Sequence, residues 1–130
     1  MLPMVFQEMA NKHRLSPFFS LLDEGAQGYL PALDVHETDD RYELRLDVPG
    51  VAKEDLKVRY ENDALTVEGD RKSFHSGPGR GERWVGRFER TLSLPDGIDA
   101  EHIEANLENG VLTIVLPKAE AAKPRQITIQ

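Results

Sequence analysis

Apolar residues recur at every second position through most of this chain, and that period constrains its fold more than any other feature. Alternation by two puts one set of side chains on each face of a strand, which a helix with its 3.6-residue turn cannot do. The pattern is clearest from Ala105 to Lys118, ANLENGVLTIVLPK. Two apolar runs, Ile103 to Leu107 and Val111 to Leu116, flank Glu108-Asn109-Gly110, and an Asn-Gly step favours the positive φ values of a tight hairpin turn. In the second arm Leu112, Ile114 and Leu116 share one face and Val111, Thr113 and Val115 the other. Both faces are largely apolar, so this strand is expected inside a sandwich. Pro117 ends it, because proline cannot donate to a ladder.

The same alternation runs through Leu33 and Val35; through Tyr42, Leu44, Leu46 and Val48; through Leu56, Val58 and Tyr60; and through Leu65, Val67 and Gly69. Turn signals separate these runs at Asp39-Asp40, Pro49-Gly50 and Asn62-Asp63. A further strand carries Phe88, Arg90, Leu92 and Leu94 on one face, followed by a turn at Asp96-Gly97. An arginine on an apolar face requires a carboxylate or carbonyl partner if it is buried, and otherwise snorkels to water from an edge. Seven or eight short strands with regularly spaced turns predict an all-β fold, an antiparallel immunoglobulin-like β-sandwich.

Several stretches, in this order, resemble the α-crystallin domain of small heat-shock proteins of the bacterial and plant type. They are DVPGVAKEDLKV (Asp47 to Val58), ALTVEG (Ala64 to Gly69), Glu82-Arg83-x-x-Gly86 with Phe88-x-Arg90, and Ala105-x-Leu107-x-x-Gly110-Val111-Leu112 followed by Pro117-Lys118. Ile127-Thr128-Ile129 resembles the I-x-I tail motif of the same family. The resemblance implies three segments: a short N-terminal arm over 1–30, partly helical or disordered; an α-crystallin domain over 31–118; and a flexible C-terminal tail over 119–130.

The arm opens with Met1, Leu2, Met4, Val5, Phe6 and Met9, and Ser16-Pro17 ahead of Phe18-Phe19-Ser20-Leu21-Leu22 has the form of a cap and first turn of a short helix. Two readings stand for it. The arm packs on its own domain, or Phe6, Met9, Phe18, Phe19, Leu21 and Leu22 form an adaptable apolar surface for other chains. Arg71 to Gly86, RKSFHSGPGRGERWVG, is long for a connection without structure; such loops tend to be functional, and the alternative is a floppy surface loop. Trp84 within it is a large aromatic that is expected to bury somewhere. In the family this loop carries a short strand that crosses to a partner subunit, and the arginine matched by Arg90 lies at the dimer interface. The resemblance therefore assigns Trp84, Phe88 and Arg90 to a dimer contact.

In the extended tail Ile127 and Ile129 project to the same side, fit for paired pockets along a sheet edge or for capping the chain's own sheet. The family's motif docks in a groove of a neighbouring subunit, which here would be lined by Leu56, Val58, Ile103, Ala105 and Leu107. Burying both isoleucines would yield roughly 3–6 kcal/mol. Ordering the tail backbone costs about 1–2 kcal/mol per residue, so such a latch would open readily.

No constellation for catalysis is found. His13, His36, His75 and His102 have no ligand spacing, no serine lies in G-x-S-x-G, and Gly77-Pro78-Gly79-Arg80-Gly81 lacks the Lys-Ser/Thr of a phosphate loop. The chain contains no cysteine, which excludes disulfides and thiolate chemistry. A formal net charge of −7 disfavours nucleic acid. No apolar run is long enough to span a bilayer and no signal-peptide core is seen, so a cytoplasmic protein is expected, without cofactor, metal or membrane partner. The resemblance implies an ATP-independent chaperone, a holdase for unfolding clients under stress, working as a homodimer or a higher homo-oligomer. The arm is short for the family, which favours a small assembly, whereas the I-x-I motif favours a larger one. A co-chaperone or scaffold module with a CS-type sandwich, binding one folded partner, is the alternative.

Overall fold

The computed structural model describes residues 20–21, 30–120, 123 and 127–129. Among them, eight strands form two four-stranded antiparallel sheets: β1 (Ser20–Leu21), β2 (Leu33–Glu37), β3 (Arg41–Asp47), β4 (Leu56–Glu61), β5 (Ala64–Arg71), β6 (Gly86–Ser93), β7 (Glu104–Glu108) and β8 (Val111–Pro117). One sheet has the order β1-β6-β5-β4 and the other β2-β3-β8-β7. The only helical elements described are two 3-10 turns, Lys53–Asp55 and Ala100–His102.

Local chemistry sets the hairpins. Leu107 pairs with Leu112 and Glu108 with Val111, leaving Asn109 and Gly110 as a two-residue turn at φ 53° and 76°. Asn62 and Asp63 do the same between β4 and β5, at φ 52° and 59°. Positive φ at both central positions suits the twist of the flanking strands, and Asn, Asp and Gly tolerate it best. The period-two faces then meet between the sheets. Leu44, Leu46, Val48, Leu65, Val67, Leu92, Ile114 and Leu116 are fully enclosed, with Tyr42, Phe88, Leu94 and Leu112 nearly so. Gly69 leaves room for the Phe88 ring, which lies across its Cα from the facing position on β6.

The helix expected from Ser16-Pro17 onward is corrected where the structure describes it. Ser20–Leu21 is strand, paired with Ser93 and Leu92 of β6. Without β1, β6 would end its sheet with unpaired backbone groups. A helix of so few residues is marginal in water, so pairing with an available edge outweighs local propensity. Phe6, Met9, Phe18, Phe19 and Leu22 lie outside the described residues, as does the side chain of Leu21.

The relative placement of the sheets follows from one buried contact. On β6, Arg90 is only 9% exposed, and its Nη1 donates to the carbonyl of Pro31, just ahead of β2, at 2.9 Å. The β6 side of one sheet therefore lies over the β2 side of the other. The edge strands β4 and β7 are left together at the opposite side of the sandwich.

Candidate functional site

The β4–β7 side presents two strands that each end their sheet, and an end strand keeps one row of backbone groups free for another chain. Leu56, Val58 and Tyr60 on β4, with Ile103 and Leu107 at β7, are half-buried and rest against the core between the sheets. Ala105 is exposed. The alternation explains this: these side chains point inward, but among the described residues no further strand covers them. Leu56, Val58, Ile103, Ala105 and Leu107 are the residues that the resemblance assigns to a tail-receiving groove, and Tyr60 continues the same face of β4.

Tyr60 gives one end of this apolar strip a polar finish. Its hydroxyl donates to Asp63 Oδ1 at 3.4 Å. Burial raises its pKa above the ordinary tyrosine value, and the negative charges of Asp63 and Asp96 push it the same way. At the other end Asp55 is matched by Lys72, 3.2 Å away.

The residues assigned to a dimer contact separate into two groups. Phe88 and Arg90 face inward, Phe88 at 4% exposure over Gly69 and Arg90 on the Pro31 carbonyl, so the carbonyl partner that a buried arginine requires comes from the same chain. Trp84 is instead 62% exposed, in a polar loop that contains no strand from residue 72 to 85 and also exposes Phe74 and Val85. Within a single subunit the indole stays largely exposed.

The tail leaves from a fixed root. Lys118 Nζ donates to Glu37 Oε2 at 2.8 Å and lies 5.0 Å from the centre of the Tyr42 ring, its backbone N–H donates to Asp40, and Ala119 N–H donates to Gly97. No sequence signal marks Lys118 for this, since Glu37 is remote along the chain. Farther on, Ile127 and Ile129 are 84% and 95% exposed, so they do not cap the chain's own sheet. Among the described residues no group of three or more His, Asp or Glu is placed to hold a metal ion, and no helix is long and apolar enough to cross a membrane.

Residues 34–130 match the Hsp20/alpha crystallin family. Heat shock protein 16 of Schizosaccharomyces pombe is 40% identical over 107 residues, which cover 77% of this chain and 75% of that one. Small heat shock protein C2 of Rickettsia felis is 31% identical over 134 residues, 97% of this chain and 82% of its own length. Among solved structures, heat shock protein 16.0 from S. pombe superposes with a TM-score of 0.63 at 38% identity, over 78% of this chain and 99% of that one. A small heat-shock protein from Xylella fastidiosa, whose crystal structure is described as a distinct high order structure, gives 0.67 at 34% identity, over 80% and 99%. With its two antiparallel sheets joined in this order and its family match running through the tail, the chain belongs to the Hsp20/alpha crystallin family of small heat-shock proteins, a membership that supports a chaperone role.

Proposed function

We propose that this chain is an ATP-independent holdase, binding unfolding proteins and competing with their aggregation under stress. Mass action suffices for that task, since a binder of exposed apolar surface shifts an existing equilibrium and needs no nucleotide. The observation that carries the reading is that one subunit holds both halves of a contact and makes neither within itself. Ile127 and Ile129 stand exposed, while Leu56, Val58, Ile103 and Leu107 remain half covered along the β4–β7 side. The tail of one subunit enters the groove of a neighbour and links dimers into a higher homo-oligomer.

In the same reading 1–30 is a client-binding arm, 31–118 the α-crystallin domain and 119–130 the linking tail, in a protein of the cytoplasm. Phe6, Met9, Phe18, Phe19, Leu21 and Leu22 contact clients. The Arg71 to Gly86 loop carries Trp84 onto the partner of a homodimer, where β2 ends a sheet and can accept a further strand. Burying that indole would contribute about 1.5–3 kcal/mol. Phe88 and Arg90 support the interface from inside their own subunit, by fixing the strand from which the loop emerges. No cofactor and no catalytic step enter this mechanism.

The test is light scattering of a heat-labile protein without ATP, at increasing ratios of this chain, with its mass read by multi-angle scattering. Suppression near stoichiometric ratio is expected, together with its loss on deleting residues 1–30. No suppression at any ratio refutes the holdase, and full activity in the truncated chain refutes the client-binding role of the arm.

A further inference from the structure

The β4–β7 groove has three rungs, one more than an I-x-I motif fills. Its two strands run in opposite directions. The Leu56 end of β4 follows the Pro49-Gly50 turn, and Val48 N–H of the same segment donates to Gly110, next to the Leu107 end of β7, at 2.7 Å. At the other end Leu94 N–H donates to the carbonyl of Asp63 at 2.8 Å, and the chain runs on from there through Asp96 to Ile103. Leu56 thus lies toward Leu107, Val58 toward Ala105 and Tyr60 toward Ile103.

The two ends differ in charge. Beyond Leu56 the charges balance: the carboxylate of Asp55 is paired with Lys72, and Lys53 and Lys57 flank Glu54 in the same segment. Beyond Tyr60 stand Asp63, accepting from its hydroxyl, and Asp96, with Glu61 ending the strand. The tail has a matching asymmetry. In an extended chain Arg125, Ile127 and Ile129 project to one side at the two-residue spacing of roughly 6.6–6.8 Å, which is also the spacing of Tyr60, Val58 and Leu56. Lys123, the next cation back, donates to Glu120 at 2.7 Å.

We propose that the acidic lip at the Tyr60 end fixes the direction in which the groove receives the tail, with Arg125 over Tyr60 between Asp63 and Asp96. Ile127 and Ile129 then follow over the Val58 and Leu56 rungs, and the tail runs antiparallel to β4. This rests on the reading that the tail docks in the groove, and adds the third rung and the polarity. The reverse direction would set the guanidinium at the Leu56 end, where Lys53, Lys57 and Lys72 offset the carboxylates of Glu54 and Asp55 and no net attraction holds it.

The absence of cysteine makes a direct test possible in the full chain. Two double variants, Glu54→Cys/Gln130→Cys and Glu61→Cys/Gln130→Cys, are oxidised and their disulfide-linked peptides are quantified by mass spectrometry. Crosslinking through Glu54→Cys in preference to Glu61→Cys is expected. Adding Arg125→Glu to the first variant should lower its yield about two- to fivefold, the weight of an exposed ion pair. Asp96→Lys in the same chain should restore it, and salt should narrow the difference. Preferential crosslinking at Glu61→Cys, equal yields, or indifference to Arg125→Glu overturns the proposed polarity alone. No crosslink from either variant, with an assembly mass unmoved by Ile127→Ser, overturns the docking reading and the polarity with it.

Discussion

Gly69 is where one added methyl group tests the packing of the sandwich and of its groove together. A Cβ built at Gly69 would stand 2.5 Å from Phe88 Cε1, closer still to Cζ, and 3.0 Å from Leu56 Cδ2. Carbon atoms rest at about 3.5–4.0 Å, so the ring must retreat by about 1 Å or more. Phe88 is 4% exposed and has little room to retreat. Overpacking of this kind costs about 1–3 kcal/mol, and the narrower unfolded ensemble of alanine offsets about 0.4–1 kcal/mol of it. Gly69→Ala should therefore lower stability by about 1–2 kcal/mol, or roughly 4–8 °C in Tm at fixed protein concentration. Thermal unfolding followed by circular dichroism reads this directly. Phe88→Leu shortens the ring and should relieve the clash, so in a double-mutant cycle it should cost about 1 kcal/mol less in the Gly69→Ala background than in the natural one. Leu56 is the first rung of the groove, so the same substitution should also shift the assembly toward smaller species. A Gly69→Ala protein as stable as the parent, or two changes that simply add, would refute the argument.

Other perturbations separate local from distant causes. Arg90→Ala strands the Pro31 carbonyl and should cost about 1–3 kcal/mol in chemical denaturation; Arg90→Lys should not recover it fully, because an ammonium cannot reproduce the planar guanidinium donor. Tyr60→Phe tests alkaline linkage. The folded chain holds the Tyr60 proton above its ordinary value of 10.0, so the unfolded chain releases it first, and this stability is present below about pH 10 and lost as pH rises through the folded pKa. The variant should thus gain stability relative to the parent between about pH 9 and 11 in denaturant titrations, and a relative loss there would refute the assignment. Asn109→Val forces a β-branched residue to φ 53° and should cost about 1–2 kcal/mol, read as a lower denaturation midpoint.

The sequence alone determined what depends on near neighbours. Asn109-Gly110 and Asn62-Asp63 dictate their turns because positive φ is tolerated by few residues. The inward faces of β3, β5, β6 and β8 follow because alternation by two is a property of the strand itself. Leu56 and Val58 fall on an apolar face for the same reason, whereas the groove they would form with Ile103 and Leu107 is implied by the family resemblance and not by the alternation. Tertiary structure decided the rest, wherever two groups meet from remote parts of the chain. Ser20–Leu21 is strand rather than helix because β6 offers an edge. Arg90 finds its acceptor 59 residues away, at a carbonyl that carries no side-chain signature. Lys118 meets Glu37 across 81 residues, and the charge of Asp96 is felt at Tyr60 because Leu94 N–H, just past the end of β6, is held on the carbonyl of Asp63 beyond β4. Trp84 shows the limit in the other direction: its size predicts burial, but within one subunit it remains 62% exposed. Local rules specify faces and turns because a strand and a turn are set over a few residues, whereas partners are chosen by the order in which the strands assemble.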